Sequence, residues 1–279
     1  MRIANVRGRL TLLETEKEID VEEASGGRFS SDPHAVFANW QAFCDWAPGA
    51  KGGPVVPIGD GDLGPPSPRP AQVFGIGLNY AAHAAEAGLP VPDRLPVFTK
   101  FPTCLAGPNT PIVLPSGAVD WEVELVVVIG IRAYRVAEAK AWDHVAGLAV
   151  GQDVSERVVQ WSGGGQFSMG KSFPTFGPFG PCLVTPDDVP NRDDLAIRCW
   201  VNDELMQDSR TSDMIFSVPR IVEGLSAILP LLPGDVIFTG TPSGIGSSRK
   251  PPRFLQPGDV VRSEIEGLGH LRNPCVAGA

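Results

Sequence analysis

Residues 119–130 read VDWEVELVVVIG, and the fold of the chain turns on them. The stretch alternates at first and then runs apolar from Leu125 to Ile129, the pattern of a β-strand. Residues two apart in a strand point to the same face, so Asp120, Glu122 and Glu124 share one face and Trp121, Val123 and Leu125 the other. Read alone, a Glu-x-Glu pair describes a sheet face open to solvent. Carboxylates leading into so apolar a run are costly to bury unless something pairs with them. No Lys or Arg lies between Lys100 and Arg132, so the local compensation points to a bound cation. Oxygen-only ligands suit Mg²⁺, Mn²⁺ or Ca²⁺ better than zinc.

Bulk composition narrows the partners. The chain has 279 residues, 43% hydrophobic and 20% charged, the balance of a globular protein with a real core. A net charge of −9 argues against nucleic acid or an anionic membrane surface as partner. Five well-separated cysteines with no CxxC argue against a disulfide framework or a zinc site, and for free thiols in a reducing, cytoplasmic setting. The first residues, MRIANVRGRL, carry no signal-peptide pattern, and no apolar run is long enough to span a bilayer.

Outward from the opening stretch, residues 2–6 and 10–13 read as a hairpin around Arg7-Gly8. Ser31-Asp32-Pro33 starts a helix reaching about Trp46, with Val36, Phe37, Trp40 and Phe43 on one side. Residues 48–70 are crowded with Pro and Gly, which places a linker there and divides the chain into 1–65 and 66–279. After the linker, short β-type segments alternate with Pro/Gly turns. They are VFGIGLN, PVFTKF, PIVLP, LAVGQDV, GPCLVT, LAIRCWVN, DVIFTG, DVVRSEIEG and LGHLRN. Helices are predicted near 80–87, 136–146 and 217–229, the last with Ile221, Leu225, Ile228 and Leu229 at helical spacing. Asn202-Asp203 and Gly267-Leu268-Gly269 read as hairpin turns. Many strands and few helices predict an α+β, β-rich chain, a mixed β-sandwich roll with a small N-terminal domain.

Several motifs bear on chemistry. Gly165–Ser172, GQFSMGKS, matches the phosphate-loop pattern GxxxxGK[ST]. That pattern needs a helix after it, and the following FPTFGPFGP forbids one, so the reading is rejected. His83 and Glu86 lie three apart in an Ala-rich helical stretch and share a face. A carboxylate beside an imidazole raises its basicity and fixes its orientation, as a general base requires; a surface His-Glu pair is the alternative. Asp153 ends the apolar strand Leu148-Ala149-Val150 and is a candidate third carboxylate. If Ser155 starts a helix, Arg157 and Gln160 share its face. Lys171 lies on a glycine-flanked loop, and Thr241 at the end of a strand after DVIF.

Together these blocks resemble the fumarylacetoacetate hydrolase superfamily. The resemblance runs from about Val73 to Val276 and rests on LNYAAHAAE, VDWEVELVVVIG, GQDVSER, GKSFPTFGPFGP, VNDELMQDSRTSDMIF, PGDVIFTGTPSGIG and KPPRFLQPGDVVRSEIEGLGHLRNP. It implies Mg²⁺, with Mn²⁺ or Ca²⁺ as alternatives, held by Glu122, Glu124 and Asp153. It implies His83 and Glu86 as a catalytic dyad on a lid, with Lys171 and Gln160 beside them. It implies Arg157, Thr241 and Tyr80 around the substrate. The expected substrate is a small-molecule 2,4-dioxo acid cleaved at a C–C bond through an enolate, with an oxaloacetate-type decarboxylase or a diene-dioate isomerase as alternative enzymes and a metal-binding protein without turnover as the non-enzyme alternative. A homodimer is implied too. Pro174 and Gln152 stand where many relatives have Asp and Asn, and both are expected to border the pocket.

Overall fold

The structure, a computed structural model, describes residues 1–14, 17–52, 58–59 and 61–278. The Val123–Ile129 strand is buried at all seven positions and lies inside an eleven-stranded sheet. Val145–Gln152 pairs antiparallel on one side and Val236–Phe238 antiparallel on the other. Its side chains feed two cores. Val123, Leu125, Val127 and Ile129 pack with Ile197, Cys199, Val261 and Leu271. Val126 and Val128 pack with Phe29, Phe37, Trp40 and Phe43. From Leu125 to Ile129 the strand is covered on both faces by these cores, and this is why its apolar run is continuous there.

The long path of the sheet runs Lys17–Asp20, Arg9–Glu14, Arg2–Val6, Gly177–Val184, Val145–Gln152, Val123–Ile129, Val236–Phe238, Val73–Ile76, Val97–Thr99. A five-stranded sheet, Glu204–Arg210, Ala196–Val201, Val260–Ile265, Gly269–Ala277 and Ile112–Leu114, covers the first core. The β-rich α+β architecture expected from the sequence is therefore present. Strands from the first 65 residues extend the main sheet, with Arg2 opposite Val184 and Ile3 opposite Leu183. Of the expected linker, residues 53–57 and 60 lie outside the described residues.

The turns follow their residues. Arg7 and Gly8 both take positive φ, 53° and 79°, closing the first hairpin. Asn202 at φ 57° and Gly267 at φ 77° close two more.

The helices depart from expectation. The predicted single helix up to Trp46 is a 3₁₀ segment, Ala35–Asn39, followed by the α-helix Trp40–Trp46. Asn39, at φ −132° and ψ 38°, breaks the register between them. Val36, Phe37, Trp40 and Phe43 are nonetheless all buried. The predicted 136–146 helix is the 3₁₀ segment Glu138–His144. The third ends early, Val218–Ser226, so Ile221 and Leu225 are buried while Ile228 lies beyond the helix and is 81% exposed. Glu204–Arg210, a strand the sequence reading missed, alternates weakly because only Met206 and Gln207 are buried.

Candidate active site

Register assembles the acidic cluster. Val123 sits opposite Gln152, which brings Glu122 beside Asp153, and the Asp153 N–H donates to the Glu122 carbonyl at 2.9 Å. Glu124 lies one pleat further along. Carboxylate oxygens of Glu122, Glu124 and Asp153 all lie within 4.8 Å of one another, and all three residues are buried.

The expectation that only a cation from outside balances these charges needs correction. Three basic side chains arrive from other parts of the chain. Lys171 Nζ donates to Glu122 Oε2 and Asp153 Oδ2, each at 2.7 Å. Lys100 Nζ donates to Asp153 Oδ1 at 2.6 Å and to the carbonyls of Lys171 and Phe176. Arg157 bridges Glu122 Oε1 at 2.8 Å and Asp120 Oδ2 at 2.7 Å. Burial works to raise the Glu122 carboxyl, but the Lys171 ammonium and Arg157 guanidinium hold it down at about 2. Burial likewise opposes charge on Lys171, and the carboxylates of Asp153 and Glu122 keep its pKa above the usual lysine value.

Glu124 is the exception. Among the described residues no Lys or Arg is within ion-pair distance of it, and its Oε2 accepts only the Gly240 N–H, at 2.7 Å. Burial, with Asp153 and Glu122 as like-charged neighbours, pushes its pKa well up. Gly240 can present that N–H because it takes φ 101° and because a Cβ there would fall 2.5 Å from Asn79 Cβ.

Counted by formal charge, Asp120, Glu122, Glu124 and Asp153 face Lys100, Arg157 and Lys171, one carboxylate in excess. A divalent cation would reverse that to one positive charge, enough for one anionic ligand group. The donor set fits such an ion. Oxygens held by one hard cation at up to about 2.4 Å are no further apart than about 4.8 Å, and these oxygens lie within that limit. Glu124→Gln is therefore expected to weaken divalent-cation binding about tenfold or more, while Glu138→Gln, on an exposed surface, leaves it unchanged. Calorimetry giving equal affinities for both variants would remove the site.

His83 and Glu86 form the expected pair. His83 Nδ1 lies 2.8 Å from Glu86 Oε1, and Glu86 Oε2 accepts the Gly244 N–H at 2.9 Å. With Nδ1 taken up by the carboxylate, Nε2 is the free imidazole atom. His83 lines a cavity of about 240 Å³ together with Glu122, Arg157, Gln160 and Lys171. Arg157–Ser162 is the expected helix, but its N-cap is Glu156, since Ser155 is paired in a strand with Asp120. Arg157 and Gln160 do share a face, joined at 3.0 Å.

Other expected residues stand behind this wall. Thr241 is buried, its hydroxyl donating to the Val123 carbonyl at 2.9 Å and accepting from Gln207 at 2.8 Å. It does not line the cavity. Neither does Tyr80, buried at the start of the Ala81–Glu86 helix with a hydroxyl that finds no partner among the described residues. Gln152 also faces away from the cavity. Its Oε1 accepts the Glu122 N–H at 2.9 Å and its Nε2 donates to Ser263 at 2.8 Å, so it pins a metal-ligand candidate from behind. Lys171, on its glycine-flanked loop, is 2% exposed and so is no solvated loop lysine, and no helix follows that loop to cradle a phosphate.

The sequence reading missed Lys100 and the role of Asp120. Lys100 lies on the segment after the edge strand Val97–Thr99, with nothing in its own neighbourhood to mark it. Asp120 accepts from Arg157, Gly246 and Ser247, fixing the arginine and the 245–248 loop that lines the cavity. A signal was present: an Asp in phase with two other carboxylates needs a cation, and Arg157 had already been singled out.

Comparison with known proteins agrees with this architecture. The family model for the fumarylacetoacetate (FAA) hydrolase C-terminal domain matches residues 72–276. The chain belongs to the fumarylacetoacetate hydrolase family. It is 46% identical over 226 residues to the mitochondrial oxaloacetate tautomerase FAHD2B of Bos taurus, covering 80% of this chain and 72% of that protein. A crystal structure of a Mycobacterium smegmatis protein, 46% identical, covers 100% of both chains with a TM-score of 0.96. Maleylpyruvate hydrolase from Sphingobium sp. SYK-6, crystallised with manganese(II) and pyruvate, is 28% identical over 100% of both chains, with a TM-score of 0.81.

Proposed function

We propose that the protein is a Mg²⁺-dependent hydrolase that cleaves the C3–C4 bond of a 2,4-dioxo acid. The observation that carries this reading is a single cavity lined by a proton-accepting His83 on one side and by Glu122 of the acidic cluster on the other. The relative crystallised with manganese(II) and pyruvate supports it, since pyruvate is the product expected here. Glu122, Glu124 and Asp153 would hold the Mg²⁺, which would supply Lewis-acid stabilisation of charge developing on the 2-oxo acid.

The chain's own residues do the rest. His83 Nε2 takes a proton from water, and the oxygen adds to C4 of the substrate. Glu86, tethered to Gly244, holds the imidazole through Nδ1 while the ring is charged. Gln160 gives its Oε1 to Arg157, which leaves its Nε2 hydrogens for an oxyanion. The C3–C4 bond breaks with its electron pair on C3. The His83 proton then returns to C3, giving pyruvate, and the new carboxylic acid loses its proton to solvent. Lys171 holds Glu122 and Asp153 in place and puts positive charge beside the oxo acid. Free thiols at all five cysteines fit a reducing compartment, and we place the activity in the cytoplasm, in a homodimer.

The 46% identity to an oxaloacetate tautomerase favours a second reading, in which His83 moves a proton between C3 and the 2-oxo oxygen without cleavage. A panel of acylpyruvates and oxaloacetate, with pyruvate, CO₂ and the enol followed separately, decides between them. Pyruvate released stoichiometrically from an acylpyruvate supports the hydrolase. Enol interconversion of oxaloacetate with no pyruvate from any acylpyruvate replaces it with the tautomerase.

A further inference from the structure

The two ends of the cavity differ in chemistry, and the far end is built from aromatic rings. Lys171 Nζ lies 5.2 Å from the Phe98 ring centroid. Phe98 stands 5.9 Å from Phe167, and Phe167 stands 4.9 Å from Trp161, both edge to face. The row thus leads from the buried carboxylates out to Trp161, which is 55% exposed, and all three rings line the cavity. Leu89 and Ile245 line it as well.

Among the described residues of the lining, no cation is left over for a second acid group. The only Lys and Arg lining the cavity among the described residues are Lys171 and Arg157. Lys171 is shared by two carboxylates. Arg157 commits Nε and one terminal nitrogen to Asp120, and the other to Gln160 and Glu122. Apart from the cluster, His83 and Gln160, the polar side-chain groups on the described lining are the hydroxyls of Ser247 and Ser248 and the indole N–H of Trp161. A carboxylate placed among these rings would exchange its hydration for neutral hydroxyl or indole N–H donors, with no uncommitted cation to balance its charge. A phenyl or alkyl group would gain apolar burial and edge-to-face contacts.

Resting on the 2-oxo acid reading above, we infer that Phe98, Phe167 and Trp161 set specificity for an apolar acyl group at the end of the substrate remote from its 2-oxo acid. The substrate class is then an aroyl- or alkanoylpyruvate and not a dicarboxylic oxo acid.

Binding to the Mg²⁺-loaded protein tests this without turnover. Calorimetry would compare oxalate, 4-phenyl-2-oxobutanoate and 2-oxoglutarate, which share the chelating end and differ at the other. The phenyl compound is expected to bind at least about tenfold more tightly than 2-oxoglutarate. Trp161→Ala and Phe167→Ala should each shrink that ratio, and Trp161→Arg, which adds a cation at the mouth, should reverse it. Trp161 is largely exposed, so its variants are not expected to disturb folding. Oxalate binding with 2-oxoglutarate equal to or tighter than the phenyl compound overturns the inference and leaves the 2-oxo acid site standing. A wild-type preference for the phenyl compound that neither Trp161 variant alters also overturns it. Failure of all three ligands, oxalate included, removes the 2-oxo acid site and this inference with it.

Discussion

His83→Ala is expected to lose about 10²–10⁴-fold in C–C hydrolysis, the usual scale for removal of a general base, while oxalate affinity stays nearly intact. Oxalate needs the carboxylate cluster and the cavity but no proton acceptor. The structure gives the second half of this expectation a physical basis. His83 makes its polar contact to Glu86 and none to Glu122, Glu124 or Asp153, and Glu86 keeps its own hold on the Gly244 N–H when the imidazole is gone. Glu86→Gln should show a milder loss, because it weakens the orientation of the ring and keeps the ring itself. Any oxaloacetate decarboxylation should suffer less than hydrolysis, since no water is activated in it. Both rates and oxalate affinity belong on one preparation. Collapse of oxalate binding along with hydrolysis would show that His83 holds the site together and is not its base.

What could be read from the sequence was what lies close along the chain. Glu122 and Glu124 are two apart, Asp153 ends its own apolar strand, and His83 with Glu86 makes one helical turn. Local periodicity places each of these groups correctly. The balance of charge was not legible in that way. Lys100, Arg157 and Lys171 are far from residue 122 in sequence, and they reach the carboxylates through long-range pairing: Val123 with Gln152, the edge strand Val97–Thr99 with Val73–Ile76, and the loop up to Phe176. The 3₁₀ segments were missed for a related reason. Val36, Phe37, Trp40 and Phe43 are spaced for one α-helix, while the backbone at Asn39 divides it into a 3₁₀ segment and a short α-helix. Thr241 shows the opposite error. A hydroxyl at a strand end is a common ligand contact, but here it is spent on the Val123 carbonyl and Gln207, holding the strand that carries Glu122 and Glu124.

Lys171→Met is expected to produce two effects of opposite sign. Turnover should fall by about 10²-fold or more, because a buried positive charge beside the reacting oxo acid is gone. Affinity for Mg²⁺ should rise, by about tenfold or more, because the ammonium, bonded to Glu122 and Asp153, would compete with a metal for their carboxylates. Methionine keeps most of the volume, so the change is mainly one of charge. Without metal the variant leaves two buried carboxylates short of a cation. Arg157 still reaches Glu122 and Lys100 still reaches Asp153, so the cluster is weakened and not abandoned. Breaking such a pair costs about 3–5 kcal/mol, which for a chain of this size lowers the melting temperature by roughly 6–20 °C. Saturating Mg²⁺ should return a larger share of stability to the variant than it adds to the wild type, since the ion replaces a charge that only the variant lacks. Thermal scans in EDTA and in Mg²⁺, beside calorimetric titration of the ion, read both effects. If metal affinity and the EDTA melting temperature match the wild type, Lys171 is a solvated loop residue after all, and the assignment of its ammonium to Glu122 and Asp153 is wrong.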